Sequence, residues 1–221
     1  MFRKVPDLTA RSLAAVATLA ALGLTACSRT GEIDASGGIT AVRTVCPSVA
    51  VPAQTGDVTL FTSPTDRSAD ALDVNAIITN VRSTCSDVGD PITTQVTFDV
   101  LARRNDTSAA RTVTLPYFTT VLQGGSVIVA KRVGQVSIRF EAGQARARGS
   151  ATGTSYLTRA AATLPADIRE QITRQRKPGQ EDAAIDPLSD PAVRTAVAKA
   201  TFETLVGFQL TDDQLRYNVT R

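Results

Sequence analysis

Histidine is absent from the 221-residue chain, and this absence bears on the common mechanisms of nucleophilic catalysis. Ser-His-Asp catalysis, Cys-His catalysis and histidine-based zinc sites all need the missing side chain. A serine–lysine mechanism needs a placed lysine, and after residue 26 the chain has only Lys131, Lys177 and Lys199, none in a Ser-x-x-Lys spacing. We therefore predict a protein that is not an enzyme and that holds no cofactor and no metal. The alternative is a histidine-free hydrolase with paired carboxylates, but no motif places two carboxylates together.

Cys27 ends the run Leu24-Thr25-Ala26-Cys27, which closes an N-terminal segment with three parts. Arg3, Lys4 and Arg11 make a basic start that only Asp7 interrupts. Residues 13–24 are an apolar run that is too short for the ~20 residues of a membrane-spanning helix. This arrangement is typical of a secretory signal. The run resembles a bacterial lipobox, which implies removal of residues 1–26 and attachment of lipid to Cys27. The alternative is ordinary secretion with a chance cysteine.

The lipobox resemblance also sets the expected location. Lipid on Cys27 would anchor the chain to a bilayer in the bacterial cell envelope, facing the periplasm, and Ser28 favours the outer membrane over the inner one. Residues 27–40 form a predicted flexible tether. Without residues 1–26, the 24 basic and 21 acidic residues become 21 and 20, so the net charge falls from +3 to +1. We predict no nucleic-acid binding at that charge.

If lipid is attached to Cys27, Cys46 and Cys85 are the two remaining cysteines. In an oxidising compartment two remaining thiols are expected to pair, so we predict a disulfide between them. The alternative is two free thiols that form a metal or redox pair, but no C-x-x-C spacing favours it.

Alternating apolar and polar residues predict strands over most of the chain. The clearest strand covers residues 92–104, its return strand covers 111–123, and a bulge is expected near Asn80-Val81. Turn signals recur at roughly 8–12 residues without a helix between them. The predicted fold class is therefore mainly β, as an immunoglobulin-like antiparallel sandwich.

A small helical insertion is predicted near the C-terminus. Residues 166–177 have helical spacing, and Asp190-Pro191 is a strong start for a second helix. We place the insertion at residues 164–200, between two strands of a sandwich domain that covers residues 41–221.

The run Leu205-Val206-Gly207-Phe208-Gln209-Leu210-Thr211, followed by Gln214-Leu215 and Tyr217-Asn218, resembles the end of an uncharacterised family of bacterial envelope lipoproteins. Cys46-Pro47 and Leu115-Pro116-Tyr117-Phe118 belong to the same resemblance, whereas residues 164–200 depart from it. The resemblance implies a β-rich domain and no established activity. The residues themselves predict a last strand followed by a helix with a capping box.

Two groups of cations are candidate sites. Arg146 and Arg148 share one face of a predicted strand, with Arg139 on the neighbouring strand, and together they could bind an anion. The face of the first insertion helix could contact a membrane or a protein partner. Its cations are Arg169, Arg174, Arg176 and Lys177. For both groups the alternative is an ordinary solvated surface.

These observations favour a membrane-anchored envelope lipoprotein that is a non-enzymatic protein-binding or assembly module. Its partner would be another envelope protein, contacted by the insertion helices and an exposed sheet edge. The alternative function is a binding module for an anionic glycan or lipid, which would use Arg139, Arg146 and Arg148.

Overall fold

The structure is a computed structural model that describes residues 44–174, 179 and 185–221. The chain divides into two compact units, residues 43–172 with 185–221 and residues 1–42 with 173–184. Of the second unit, the structure describes Thr173, Arg174 and Gly179. The predicted signal and tether lie outside the described residues, so the architecture below is that of the first unit.

The described part of this unit holds eight strands in two sheets that pack face to face. The strands are β1 (Ser48–Ala50), β2 (Asp57–Phe61), β3 (Leu72–Ser86), β4 (Ile92–Arg104), β5 (Arg111–Gln123), β6 (Val127–Phe140), β7 (Arg146–Leu157) and β8 (Phe202–Phe208). The first sheet has the order β1-β8-β5-β6 and the second β2-β3-β4-β7. All neighbours are antiparallel except β1 and β8. This mainly β sandwich confirms the predicted fold class.

Strand alternation builds the core between the sheets. On β4 the inward side chains include Val96, Phe98 and Val100, each no more than 2% exposed. From the other sheet, Tyr117 packs edge-on against Phe98 with ring centroids 5.1 Å apart. A fully buried side chain of this kind contributes about 1.5–3 kcal/mol to folding. Because one face of β4 is buried in this way, its register is fixed.

A layer of hydroxyl side chains crosses the core between two apolar clusters. Its members come from β4, β5, β7 and β8 and are Thr94, Thr119, Ser155 and Thr204. On β4, for example, Ile92 belongs to one cluster and Val96 to the other, with Thr94 between them. The Oγ of Ser155 and the Oγ1 of Thr204 lie 2.9 Å apart and so join the two sheets through a buried hydrogen bond.

The predicted disulfide is present. Cys46, just before β1, is bonded to Cys85 near the end of β3, with the Cα atoms 6.1 Å apart. Because β1 and β3 belong to different sheets, the bond ties the two layers together.

Helices lie in the connection between β7 and β8 and after β8, as the sequence predicts, but the first of them precedes the predicted start of the insertion at residue 164. They are α1 (Arg159–Ala162), α2 (Ala166–Thr173), a 3₁₀ turn (Pro187–Ser189), α3 (Pro191–Lys199) and α4 (Asp212–Thr220). The carboxylate of Asp190 accepts a hydrogen bond of 2.8 Å from the backbone N–H of Ala192 and caps α3. In the part of the chain that the structure describes, no helix is long and apolar enough to cross a bilayer.

The C-terminal helix α4 is locked onto the sandwich. Thr211 and Gln214 form the predicted capping box at its start. Asn218 is buried, and its side-chain amide donates hydrogen bonds of 2.8 Å to the carbonyl oxygens of Gln54 and Asp57. Because these bonds join α4 to the loop before β2 and to β2 itself, Asn218 has a structural role.

Candidate functional site

The three arginines that were predicted to form an anion site do not lie in one sheet. Arg139 lies on β6, at the edge of the first sheet, whereas Arg146 and Arg148 lie on β7, in the second sheet. Arg139 also makes an ion pair of 2.6 Å with Glu141. The expectation that β6 and β7 are neighbours in one sheet was wrong, because the chain crosses from one sheet to the other between these two strands.

Arg148 instead belongs to a polar cluster around Asp99, which is only 8% exposed although it points to the outer face of the second sheet. The carboxylate accepts hydrogen bonds from Arg148 at 2.6 Å and from Asn80 and Ser150 at 2.8 Å each. The bonds from Arg148, Asn80 and Ser150 hold the pKa of Asp99 at about 2, below its ordinary value of 3.8. The cluster therefore keeps Asp99 ionised to a lower pH than an ordinary aspartate.

A bulge in β3 positions one of these donors. The pairing of β3 with β4 shifts between Thr79 and Arg82, which confirms the bulge predicted near Asn80-Val81. Asn80 has a φ of 50°, in the left-handed region that asparagine tolerates better than most residues. The extra residue lets the side chain of Asn80 reach Asp99 on the neighbouring strand.

The Asp99 cluster predicts a stability change in acid. Because its folded pKa is depressed, Asp99 contributes stability that is fully present above its unfolded pKa of about 3.8 and is lost as the pH falls through about 2. We expect Asp99→Asn to be less stable than the native chain at neutral pH. We also expect it to lose less stability as the pH falls from about 3.8 to about 2. Urea unfolding at a series of pH values measures both. Equal losses for the two proteins in this window would contradict the assignment.

The basic helix face is only partly described. Arg169 lies on α2 and is exposed, and Arg174 follows the last residue of that helix, whereas Arg176 and Lys177 lie outside the described residues. The helix was predicted to reach residue 177, but it ends at Thr173. Since Ile168 is the one buried side chain of α2, packing supports the helix weakly beyond its first turns.

The exposed apolar surface is concentrated on β6, the last strand of its sheet. All seven residues 127–133 are exposed, and we call this stretch the β6 edge. Its large aliphatic side chains are between 47% and 63% exposed: Val127, Ile128, Val129 and Val133. The pairing with β5 shifts here, so that Ala130 opposes Val121 and Ile128 opposes Leu122. A bulge of this kind changes the face that residues 127–129 occupy relative to the rest of the strand.

The β6 edge also has two cations whose positions are set by aromatic rings. The ammonium of Lys131 lies 5.4 Å from the ring centroid of Phe118, and the guanidinium of Arg132 lies 5.3 Å from that of Tyr156. No acidic residue occurs between residues 124 and 140. The edge is thus apolar with a positive charge, held in place by cation–π contacts.

An open groove of about 730 Å³ adjoins the start of the β6 edge. It is lined mainly by small apolar residues of the 161–165 segment and of α3, together with Gln123. Gln123 pairs with Val127 across the β5–β6 turn, and its amide donates a 2.6 Å hydrogen bond to the carbonyl oxygen of Lys199 at the end of α3. An exposed sheet edge therefore lies beside the insertion helices. These are the two surfaces that the protein-binding hypothesis named as contacts.

Two further predictions concern metal ligands and lipid attachment at Cys27. Across residues 44–174, 179 and 185–221, no three side chains of the His, Cys, Asp and Glu types group as metal ligands would. Cys27 lies outside the described residues, so lipidation there stays a prediction. None of the protein-family models, curated proteins or solved structures compared with this chain matches it.

Proposed function

We propose that this chain is a bacterial envelope lipoprotein, anchored to a bilayer by lipid on Cys27, whose sandwich domain binds another envelope protein through the β6 edge. The observation that supports the binding role most is the exposure of four large aliphatic side chains within seven residues of one edge strand. Exposed apolar patches of this kind are typical of interaction sites. The lipobox resemblance supports the anchor, and the absence of histidine supports a non-enzymatic role.

The proposed mode of binding is the addition of a strand to the first sheet. In the described sheets β6 has a strand partner on one side only, so the backbone groups on its other side can pair with an extended segment. The partner segment would cover Ile128 and Val133 with apolar side chains. It would present acidic residues to Lys131 and Arg132, since this part of the chain has no acidic residue of its own.

The same two cations disfavour self-association. Lysine on an edge strand is a common protection against pairing between copies, because like charges and buried ammonium groups oppose it. A partner with complementary acidic residues removes that penalty. The charge on the β6 edge therefore favours a different protein over a second copy of this chain.

Charged substitutions on the β6 edge test the proposal. We expect Ile128→Asp and Val133→Asp to weaken binding of the partner by at least about tenfold, because each places a charge in the apolar centre of the contact. Copurification from membranes after crosslinking, with mass spectrometry of the recovered proteins, measures this. Val88→Asp is the matched control, since Val88 is 87% exposed but lies in the turn between β3 and β4.

Cys27→Ala separates the anchor from the contact. Cys27→Ala should still bind the same partner, whereas Cys27→Ala combined with Ile128→Asp, which a partner in the membrane cannot retain, should leave the membrane pellet. We expect the native chain and Val88→Asp to recover one envelope protein that Ile128→Asp does not recover. Equal recovery from all variants would contradict a role for the β6 edge, and a Cys27→Ala, Ile128→Asp protein that stays in the pellet would contradict the anchor.

A further inference from the structure

Two arginines face each other on the outer surface of the second sheet. The register of β4 and β7 places Arg103 directly opposite Arg146, and both are exposed. Side chains at such positions have Cβ atoms about 4.5–5.5 Å apart, and like charges there are unfavourable. The sheet therefore holds two positive charges together at a cost to its own stability.

Three other arginines of the sandwich are each paired with a carboxylate. Arg148 pairs with Asp99, Arg111 with Asp73 and Arg139 with Glu141, at 2.6–2.7 Å. Within the described ranges, neither Arg103 nor Arg146 makes an ion pair. Two guanidinium groups without a carboxylate thus point outward side by side, an arrangement that suits the oxygens of a phosphate group.

An exposed aliphatic pair lies next to the arginine pair. Ile77 and Leu101 oppose each other across β3 and β4 and are 49% and 46% exposed. Leu101 is two residues from Arg103 on the same strand, so it shares the outer face. Leu101 is also directly opposite Arg148. We call Arg103, Arg146, Ile77 and Leu101 the arginine–aliphatic face.

We propose that the arginine–aliphatic face binds the phosphate headgroup of an anionic lipid. Arg103 and Arg146 would donate hydrogen bonds to the phosphate oxygens, and Ile77 with Leu101 would contact the apolar part of the lipid. Charge complementarity selects the phosphate, and the aliphatic pair favours an amphiphile over a free anion. This site is separate from the β6 edge, so it does not depend on the proposed protein partner. In this site the partner of Arg146 is Arg103, and not Arg139 as predicted from the sequence.

The test uses the full-length chain in micelles of an uncharged detergent. The micelles are doped with phosphatidylglycerol or with phosphatidylcholine at equal mole fraction, and inorganic phosphate is titrated separately. Binding is followed by the NMR signals of the arginine Nε–H groups. We expect the phosphatidylglycerol micelles to shift the signals of Arg103 and Arg146, and Arg103→Glu to weaken this binding by at least about tenfold.

Arg82→Glu is the matched control. It makes the same charge change on the same outer face, but Arg82 opposes Thr97, six residues or about 20 Å along β4 from Arg103. Arg103→Glu should not lower the melting temperature, because it puts a carboxylate opposite Arg146 and removes the like-charge pair. Loss of binding with an unchanged melting temperature, and normal binding by Arg82→Glu, would support the site.

Three results would overturn the proposal. Equal weakening by Arg82→Glu would show that net charge, and not the arginine pair, decides binding. Equal affinity for inorganic phosphate would assign the site to a free anion. Equal shifts with phosphatidylcholine would remove the role of the anionic headgroup.

Discussion

Replacing Cys46 and Cys85 together by serine is expected to lower the free energy of unfolding by about 4 kcal/mol. The disulfide joins residues 39 positions apart, and in the chain-entropy account a closed loop of that length restricts the unfolded chain substantially. The bond also connects the segment before β1 to β3, and so ties one sheet to the other. Since small domains have only about 5–15 kcal/mol of stability, this is a large fraction of the total.

Urea unfolding of the full-length chain under oxidising conditions measures this loss. Cys27→Ser is the matched control because it removes a cysteine that closes no loop, and we expect its midpoint to match that of the native chain. A loss below about 1 kcal/mol in the double variant would contradict the role assigned to the disulfide.

Replacing Arg104 by alanine is expected to lower the free energy of unfolding by about 2–3 kcal/mol. The side chain is only 2% exposed, and its guanidinium lies 5.0 Å from the ring centroid of Phe140. It donates hydrogen bonds of 2.7–3.0 Å to the carbonyl oxygens of Ala109, Glu141 and Gln144. These bonds connect the β4–β5 turn to the β6–β7 turn, so alanine would leave three acceptors without their donor at this end of the sandwich.

The control for Arg104→Ala is a substitution at the neighbouring residue, Arg103. Arg103→Ala removes the same side chain from the same strand, but on the exposed face, and should change stability by no more than about 0.5 kcal/mol. Urea unfolding of both variants gives the comparison. Similar losses from the two substitutions would contradict the account of Arg104.

The sequence predicts strands best where one face is buried. Strand β4 begins at Ile92 and ends at Arg104, and β5 begins at Arg111 and ends at Gln123, as the alternation indicates. The cap at Asp190 follows from local side-chain chemistry, and the bulge beside Asn80 follows from a break in the alternation. Both could be predicted because each depends on residues close in sequence.

Strand neighbours are harder to predict, because alternation gives the face of a residue but not the strand beside it. This is why Arg139 was assigned to the same site as Arg146, although β6 and β7 belong to different sheets. It is also why Arg103 was missed, since its position opposite Arg146 follows only from the register of β4 and β7. The alternation of β4 does place Arg104 on the inward face, but the three carbonyls that accept its hydrogen bonds come from distant turns.

The most direct test of the proposed function is photo-crosslinking in living cells, with a photoreactive amino acid at position 128 on the β6 edge and, separately, at position 88. The account predicts that position 128 crosslinks to one envelope protein through an extended segment with acidic residues, and that position 88 does not. The same crosslinks from both positions, or none from position 128 while the protein remains anchored, would contradict the β6 edge as the contact.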